Sequence, residues 1–148
     1  MQGTPPPDGV AAAPPTVAPL RGQGRATGAV AVGGALGALA RWGVGLALPF
    51  TSGAFPWGTF LINVVGCVAI GVLLVVLTEL RTAHALVRPF LATGVLGGFT
   101  TFSTFSVDAQ HLLLGGHVGL ATAYLVGTLV AAVAATWAGA AGTRRLVR

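Results

Sequence analysis

The sequence predicts an all-α membrane protein with four transmembrane helices, on the strength of its composition and its patterning. Of the 148 residues, 54% are hydrophobic and only 7% are charged, whereas a soluble domain carries roughly 25% charged residues. With a mean hydropathy of +0.84, the chain has too few polar side chains to cover a water-facing surface. The apolar residues also fall into long runs separated by short polar connections, which is typical of a multi-pass membrane protein.

The N-terminal residues 1–25 differ in composition from the rest of the chain. They contain six of the nine prolines and show no apolar periodicity. Such a segment cannot bury enough apolar surface to offset the entropy lost on ordering. We therefore predict a disordered proline-rich tail over 1–25, followed by a four-helix transmembrane subunit over 26–148.

Four apolar segments are long enough to cross a bilayer, which requires about 20 helical residues. Within lipid every backbone amide and carbonyl must be paired inside the protein, so each segment must be a helix or part of a closed barrel. Strands are excluded because the segments are rich in Gly and Ala and lack alternation. The predicted spans cover 27–48, 57–77, 86–114 and 118–141.

The positive charges predict the orientation of these spans. All eight basic residues are arginines, and all but Arg41 lie before the first span, around the loop between the second and third, or after the fourth. Four spans place those three regions on one side, and arginine is enriched on the cytoplasmic side of membranes. Both termini are therefore predicted to be cytoplasmic in a multi-pass protein of the cell membrane. The lipid bilayer is the expected partner, and nucleic acid is not.

Several polar side chains lie within the apolar runs and each leaves two interpretations open. Asn63 either joins two helices by hydrogen bonds or lines a pore. Arg41 either extends to the membrane interface or lines an aqueous entrance. Asp108, near the end of the third span, either caps a helix or pairs with an arginine. Tyr124 and Thr128 are four residues apart and share one helical face.

The most unusual stretch is "GGFTTFSTFS" at 97–106, inside the third span. The adjacent glycines Gly97 and Gly98 each weaken a helix by about 1 kcal/mol relative to alanine. The hydroxyls that follow compete with the backbone hydrogen bonds, so we predict that the third helix is broken in mid-membrane. A break frees carbonyl oxygens, and a small cation can satisfy them.

The same stretch offers two ingredients for weak, multi-site passage of an anion. Phe102 and Phe105 share a face if the helix resumes there, and the edge of a phenyl ring is electropositive. Ser103 and Thr104 supply hydrogen-bond donors beside those rings. A packing seam of hydroxyls and core phenylalanines explains the same composition, so the residues alone leave the choice open.

Three motifs together extend this interpretation. "GGALGALARW", "WGTFLINVVG" and "GVLGGFTTFSTFSVD" resemble, in order and spacing, the Fluc (CrcB-type) fluoride channels, and the resemblance covers about 28–142. It implies four-helix subunits that assemble as antiparallel, dual-topology dimers and conduct fluoride passively out of the cell. No enzyme activity is implied.

The resemblance also implies roles for individual residues. It assigns Phe102, Phe105 and Asn63 to the fluoride path, and the hydroxyls of Ser103, Thr104, Tyr124 and Thr128 beside them. Arg41 and Asp108 fall where the family has an arginine and an acid, at a vestibule or a helix end. It places the backbone carbonyls of Gly97 and Thr100 around a structural sodium ion that is not transported.

One feature departs from the simplest family pattern. A chain that inserts in both orientations needs a nearly neutral arginine bias, whereas this chain favours one orientation. We therefore expect an inverted paralogous subunit as its partner. Two other functions compete: proton-coupled drug export, which needs a membrane-embedded carboxylate that the first span lacks, and a non-conducting assembly subunit, which would not need the two rings and Asn63 together.

Overall fold

The structure is a computed structural model that describes residues 23–79 and 85–147. The predicted tail lies outside the described residues as far as residue 22. Within these ranges, four segments are long and apolar enough to cross a membrane: Gly24–Ala47, Trp57–Thr78, Pro89–Leu114 and Val118–Val147. The all-helical class and the number of long apolar segments are therefore as predicted.

The helices extend beyond several predicted ends. The first helix covers Gly24–Ala47, the second Trp57–Glu79 and the last Val118–Val147. The last helix continues past 141 to Val147, and within it the Thr143 hydroxyl donates a hydrogen bond to the Gly139 carbonyl at 2.8 Å. Its final turn carries Arg144 and Arg145, whose charge is favourable at the negative end of a helix dipole.

The third segment is divided into three parts. Pro89–Leu96 winds as a π-helix, Gly97–Phe99 forms one short α-helical turn, and Phe102–Leu114 is a regular α-helix. The π-helix is rare and occurs most often at functional positions. The three parts give the segment two halves, 89–99 and 102–114, that pack against different neighbours.

The first helix packs on the first half of the third segment through backbone atoms. A Cβ added at Gly33 would overlap the Phe90 carbonyl, and one added at Gly37 would lie 2.8 Å from the Phe99 amide nitrogen. A Cβ at Gly98 would in turn overlap the Gly34 carbonyl. The small residues at these positions therefore allow the two backbones to touch.

The second and last helices form the other close pair. A Cβ added at Gly71 would overlap the Thr136 carbonyl, and one added at Gly139 would overlap the Val68 carbonyl. The second half of the third segment lies against this pair, with Leu112 and Ala121 fully buried between segments. A small core of Ala109, Leu112, Ala121 and Tyr124 forms at this end of the molecule.

The connection between the third segment and the last helix is a tight helix terminus. The His117 amide donates to the Leu112 carbonyl at 2.9 Å, and the Gly116 amide donates to the Leu113 carbonyl at 3.0 Å. Gly116 has φ = +79°, which is the left-handed conformation that this terminal motif requires. The two segments are therefore held antiparallel and adjacent.

Large apolar side chains are exposed over much of the described surface. Leu39, Trp42, Val130 and Trp137 each expose more than 60% of their surface. A water-soluble monomer rarely exposes so large a continuous apolar area. The outer surface is thus suited to lipid, and the three tryptophans Trp42, Trp57 and Trp137 are all exposed on it.

Candidate functional site

The site is built around two residues at which the third segment is not helical. Thr100 has φ = −73° and ψ = 156°, and Thr101 has φ = −147° and ψ = 124°. Both are extended conformations, so the α-helical hydrogen-bond ladder stops after Phe99 and restarts at Phe102. The backbone groups released at this point need other partners.

Asn63 of the second helix supplies two of those partners. Its Oδ1 accepts a hydrogen bond from the Thr101 amide at 2.9 Å, and its Nδ2 donates to the Thr101 carbonyl at 3.0 Å. In a continuous helix the Thr101 amide would donate to the carbonyl of Gly97, four residues earlier. Because the Thr101 amide donates to Asn63 instead, the Gly97 carbonyl has no helical donor.

Thr101 also begins the helix that follows. Its hydroxyl oxygen accepts a hydrogen bond from the Thr104 amide at 3.1 Å, which is the arrangement of an N-cap residue. The same hydroxyl lies 3.0 Å from the Thr104 hydroxyl and 3.2 Å from the Ser103 hydroxyl. The structure therefore gathers three hydroxyls at the start of Phe102–Leu114.

A cavity of about 680 Å³ opens beside the two extended residues. Its lining combines apolar side chains with a few polar groups, and includes Phe102, Phe105, Asn63, Thr128, Gly97 and Thr100. The Phe102 and Phe105 rings lie 5.8 Å apart between centroids, inclined at 42°. Phe102 exposes 79% of its surface, so this wall of the cavity is uncovered in the single chain.

Two buried hydroxyls of the last helix have no hydrogen-bond partner in the described part of the chain; Thr128 lines this cavity, whereas Tyr124 does not. Thr128 exposes 5% of its surface and Tyr124 none, yet neither hydroxyl makes a hydrogen bond within the part of the chain that is described. The Tyr124 hydroxyl faces Thr59 and Asp108 but does not reach either at regular hydrogen-bond geometry. Buried polar groups are normally paired, so these two are available to a ligand or to water.

A second cavity of about 450 Å³ lies on the other side of Phe102–Leu114. Arg41, Asp108, Thr59 and Thr104 contribute to its lining, and Thr101 lines both cavities. Asp108 is buried and accepts a hydrogen bond from the Thr59 hydroxyl at 2.6 Å. Among residues 23–79 and 85–147 it has no arginine within ion-pair distance, so Thr59 rather than an arginine holds the carboxylate.

The predicted site residues thus fall into neighbouring groups. Phe102, Phe105, Asn63, Thr128, Gly97 and Thr100 line the larger cavity, whereas Arg41, Asp108 and Thr104 line the smaller one. Tyr124 packs against Phe105 at 5.0 Å between ring centroids. Ser103 contributes through its hydroxyl contact with Thr101.

Sequence reasoning did not place Thr59 and Thr101 among the site residues. The role of Thr101 could have been predicted, because a threonine three residues before another polar residue at the start of a helix is typical of an N-cap. The role of Thr59 could not, since a threonine in an apolar helix commonly bonds its own backbone. Thr122 and Thr136 do so in the last helix.

Together, fold and site define a class of protein. It is a small multi-pass membrane protein with four spans, in which aromatic rings, hydroxyls and one amide surround a cavity beside an interrupted segment. The family model described as "CrcB-like protein, Camphor Resistance (CrcB)" matches residues 28–140. The chain belongs to this family, which confirms the resemblance found in the sequence motifs.

Individual relatives support the same assignment. The chain is 49% identical over 142 residues to a Streptomyces coelicolor protein named fluoride-specific ion channel FluC 1, covering 96% of this chain and 92% of that protein. It is 56% identical over 108 residues to fluoride-specific ion channel FluC 2 of Streptomyces avermitilis, covering 73% and 68%. It is also 45% identical over 118 residues to fluoride-specific ion channel FluC of Agrobacterium fabrum, covering 79% and 94%.

Proposed function

We propose that this chain is a subunit of a fluoride-specific ion channel that lets fluoride leave the cell passively and so lowers cytoplasmic fluoride. Its membership of the CrcB family and the names of its relatives support this function. One observation carries it in the structure: Phe102, Phe105, Asn63 and Thr128 line a single cavity beside a gap in the third segment. In our proposal that gap lies in mid-membrane.

The chemistry of this lining suits a small, strongly hydrated anion. Fluoride enters a low-dielectric path only where other groups replace its water shell. The electropositive edges of Phe102 and Phe105 attract an anion without trapping it as a full charge would. The unpaired hydroxyls of Tyr124 and Thr128 supply donors, and Ser103 and Thr104 add two more along the path.

The smaller cavity serves as the entrance in this proposal. Arg41 is half-buried at its wall, where a guanidinium attracts anions from the aqueous phase. Asp108 lies across the same cavity but is occupied by Thr59. The carboxylate therefore fixes the Thr59 side chain, and Arg41 provides the attractive charge.

The conduction path needs a second subunit. Phe102 exposes 79% of its surface on the open side of the larger cavity, where contact with lipid would leave the polar lining unsatisfied. An antiparallel copy or paralogue packed on this face would close the path and cover the ring. We therefore propose an antiparallel, dual-topology dimer.

A sodium ion at the centre of that dimer accounts for the released carbonyls. The Gly97 carbonyl has lost its helical donor to Asn63, and Gly97 and Thr100 line the same cavity. An added Cβ at Gly97 would meet nothing within 4 Å, so the space beside it is open. Carbonyl oxygens of an unwound segment are suitable ligands for Na⁺, which we propose as a structural ion.

The arginine distribution determines the orientation that we propose. Arg25, Arg88, Arg144 and Arg145 are all exposed and stand at helix ends that an alternating four-span topology brings to one side. Arg21, Arg81 and Arg148 lie outside the described residues but belong to the same three regions of the sequence. We propose that this side faces the cytoplasm, with an inverted paralogous subunit as partner.

Fluoride efflux from liposomes tests the function. The chain is reconstituted alone and together with a paralogue of opposite arginine bias, and fluoride release is followed with an ion-selective electrode. Phe105→Ile should abolish the flux while the assembled protein elutes as before, because an aliphatic side chain has no electropositive edge.

Phe90→Ile is the matched control for this experiment. Phe90 lies in the first half of the same segment and lines neither cavity, so its flux should match that of the unmodified chain. Undiminished flux through Phe105→Ile would reject the proposed path. Absence of fluoride flux in both reconstitutions of the unmodified chain would reject the function itself.

A further inference from the structure

A loop residue outside the spanning helices contacts the candidate site directly. Phe55 lies in the connection between Ala47 and Trp57, the ends of the first two helices. Its ring meets that of Tyr124 at 5.4 Å between centroids and 89° between planes, which is an edge-to-face contact. Such pairs contribute beyond the apolar area that they bury.

Tyr124 also contacts a ring of the proposed fluoride path. The Phe105 ring lies 5.0 Å from it, at 46°, and the Tyr124 side chain is completely buried. The three rings are therefore in contact in the order Phe55, Tyr124, Phe105. A shift of the middle ring changes both the orientation of the Phe105 edge and the position of the Tyr124 hydroxyl.

Phe55 is itself firmly held. Its ring lies 4.6 Å from that of Trp57 and 5.4 Å from that of Phe60. The Trp57 amide donates a hydrogen bond to the Phe55 carbonyl at 2.8 Å, and the intervening Pro56 is fully buried. The backbone and the side chain of Phe55 are therefore both held by contacts other than the one with Tyr124.

The turn that precedes Phe55 is fixed as well. Gly53 has φ = +78°, a conformation that favours glycine. An added Cβ there would stand 2.9 Å from Nε2 of His117, so the imidazole of the last connection backs the turn. The two connections at this end of the molecule therefore pack against each other and hold Phe55 in place.

We propose that Phe55 is a positioning residue for anion conduction: it presses Tyr124 against Phe105 and so sets the ring edge and the hydroxyl presented to the ion. This inference rests on the proposed function and adds to it a determinant in the loop between the first two helices. Phe55 does not line either cavity and acts only through Tyr124.

Fluoride efflux measured on a pair of phenylalanine variants tests the inference. Removing the ring in Phe55→Leu should slow fluoride efflux about fivefold, the effect expected from losing one aromatic pair in a precisely oriented site. Phe90→Leu makes the same change at a phenylalanine that lines neither cavity. Its flux should stay within about twofold of the unmodified chain, because no ring of the proposed path loses an aromatic partner. Equal flux in both variants would overturn the inference.

A double-substitution cycle separates positioning from general loop stability. If Phe55 acts through Tyr124, then Tyr124→Leu already disconnects Phe55 from Phe105. Phe55→Leu should then slow Tyr124→Leu by less than about twofold. If the double variant instead slows efflux by the product of the two single effects, Phe55 acts independently of Tyr124, which would overturn the inference.

A second substitution covers the case in which Phe55→Leu does not assemble. Phe55→Met keeps most of the buried volume and removes the ring, and it should slow efflux in the same way; unchanged efflux would contradict positioning by Phe55. The failures of the two proposals are distinguishable. No fluoride flux in the unmodified chain rejects the channel function, whereas normal flux in both Phe55 variants rejects only the positioning role.

Discussion

Asn63 replaces backbone hydrogen bonds with side-chain ones at the gap in the third segment. Its amide pairs with both the N–H and the C=O of Thr101, at 2.9 and 3.0 Å. A single amide can both donate and accept, which no hydroxyl or carboxylate does with comparable geometry. The same residue therefore stabilises the extended backbone and lines the larger cavity.

We expect Asn63→Leu to destabilise the protein by about 2 kcal/mol, because the buried Thr101 amide would lose its partner and the Thr101 carbonyl would lose one of its donors. Unfolding in mixed detergent micelles, followed by helical circular dichroism, measures this change. Thr78→Val is the control in the same helix, since within the described residues the Thr78 hydroxyl bonds to carbonyls of its own helix, those of Leu74 and Val75. Equal stability of the two variants would contradict the assigned role of Asn63.

Sequence reasoning identified Asn63 because strongly polar side chains are rare in an apolar run, but it could not identify the partner. Thr101 is 38 residues away, and only the packing of the second helix on the third segment brings them together. Thr59 and Phe55 were missed for a related reason. A threonine in a span and a phenylalanine in a loop have common structural roles, and their partners Asp108 and Tyr124 depend on the tertiary fold.

At the scale of an element, the third segment shows both what local sequence predicts and what it does not. Adjacent glycines and consecutive hydroxyls predict a weak helix near Thr100, and the two extended residues lie there. The π-helix over Pro89–Leu96 was not predicted. Hydropathy does not distinguish an α-helical turn from a π-helical turn. In the structure the π-helix is the part of the segment whose backbone contacts Gly33 and Gly37.

That contact leads to a prediction for the first helix. Gly37→Ala would place a methyl group against the Val95 carbonyl and 2.8 Å from the Phe99 amide nitrogen, so the two segments would have to separate. We expect a loss of about 1–3 kcal/mol in the free energy of unfolding, the usual cost of overpacking. Detergent-titration unfolding provides the measurement.

Gly43→Ala is the matched change in the same helix, where an added Cβ meets nothing within 4 Å. Its stability should stay the same or rise slightly, because alanine is the better helix former. If Gly37→Ala were as stable as Gly43→Ala, the first helix and the third segment would not be in backbone contact in the membrane.

At the scale of the whole molecule, the arginine-poor end carries most of the buried core and the aromatic contacts. The larger cavity remains open on the side where Phe102 is exposed. The helical class and four spans follow from hydropathy, since a bilayer imposes length and backbone pairing on any chain that crosses it. The face that the proposed second subunit would cover cannot be derived in this way, because lipid and protein neighbours both favour apolar side chains.

If the proposed sodium ion is bound, the stability of the proposed dimer depends on which monovalent cation is present. Replacing Na⁺ with N-methyl-D-glucamine should convert the reconstituted dimer to monomers, because the Gly97 and Thr100 carbonyls of both subunits would be left facing one another unsatisfied. Single-molecule photobleaching in liposomes counts the subunits. A dimer equally stable in both salts would remove the sodium assignment.

The arginine bias predicts one orientation for the chain when it is expressed alone. Tags at residue 1 and residue 148 should both be protected from an external, membrane-impermeant label, in keeping with the positive-inside rule. Moving three arginines to the opposite loops, over 49–56 and 115–117, should expose the tags. Equal labelling of the unmodified chain from both sides would instead indicate a subunit that pairs with inverted copies of itself.

The seam between the first helix and the third segment has a consequence for how the sequence can change over time. Gly33, Gly34, Gly37 and Gly98 bring main chain against main chain, and main-chain atoms are common to every residue type. Exposed neighbours such as Val32, Leu36 and Leu39 can therefore change among apolar residues without altering the spacing of the two segments. Such substitutions leave the proposed ion path untouched as long as the glycines stay.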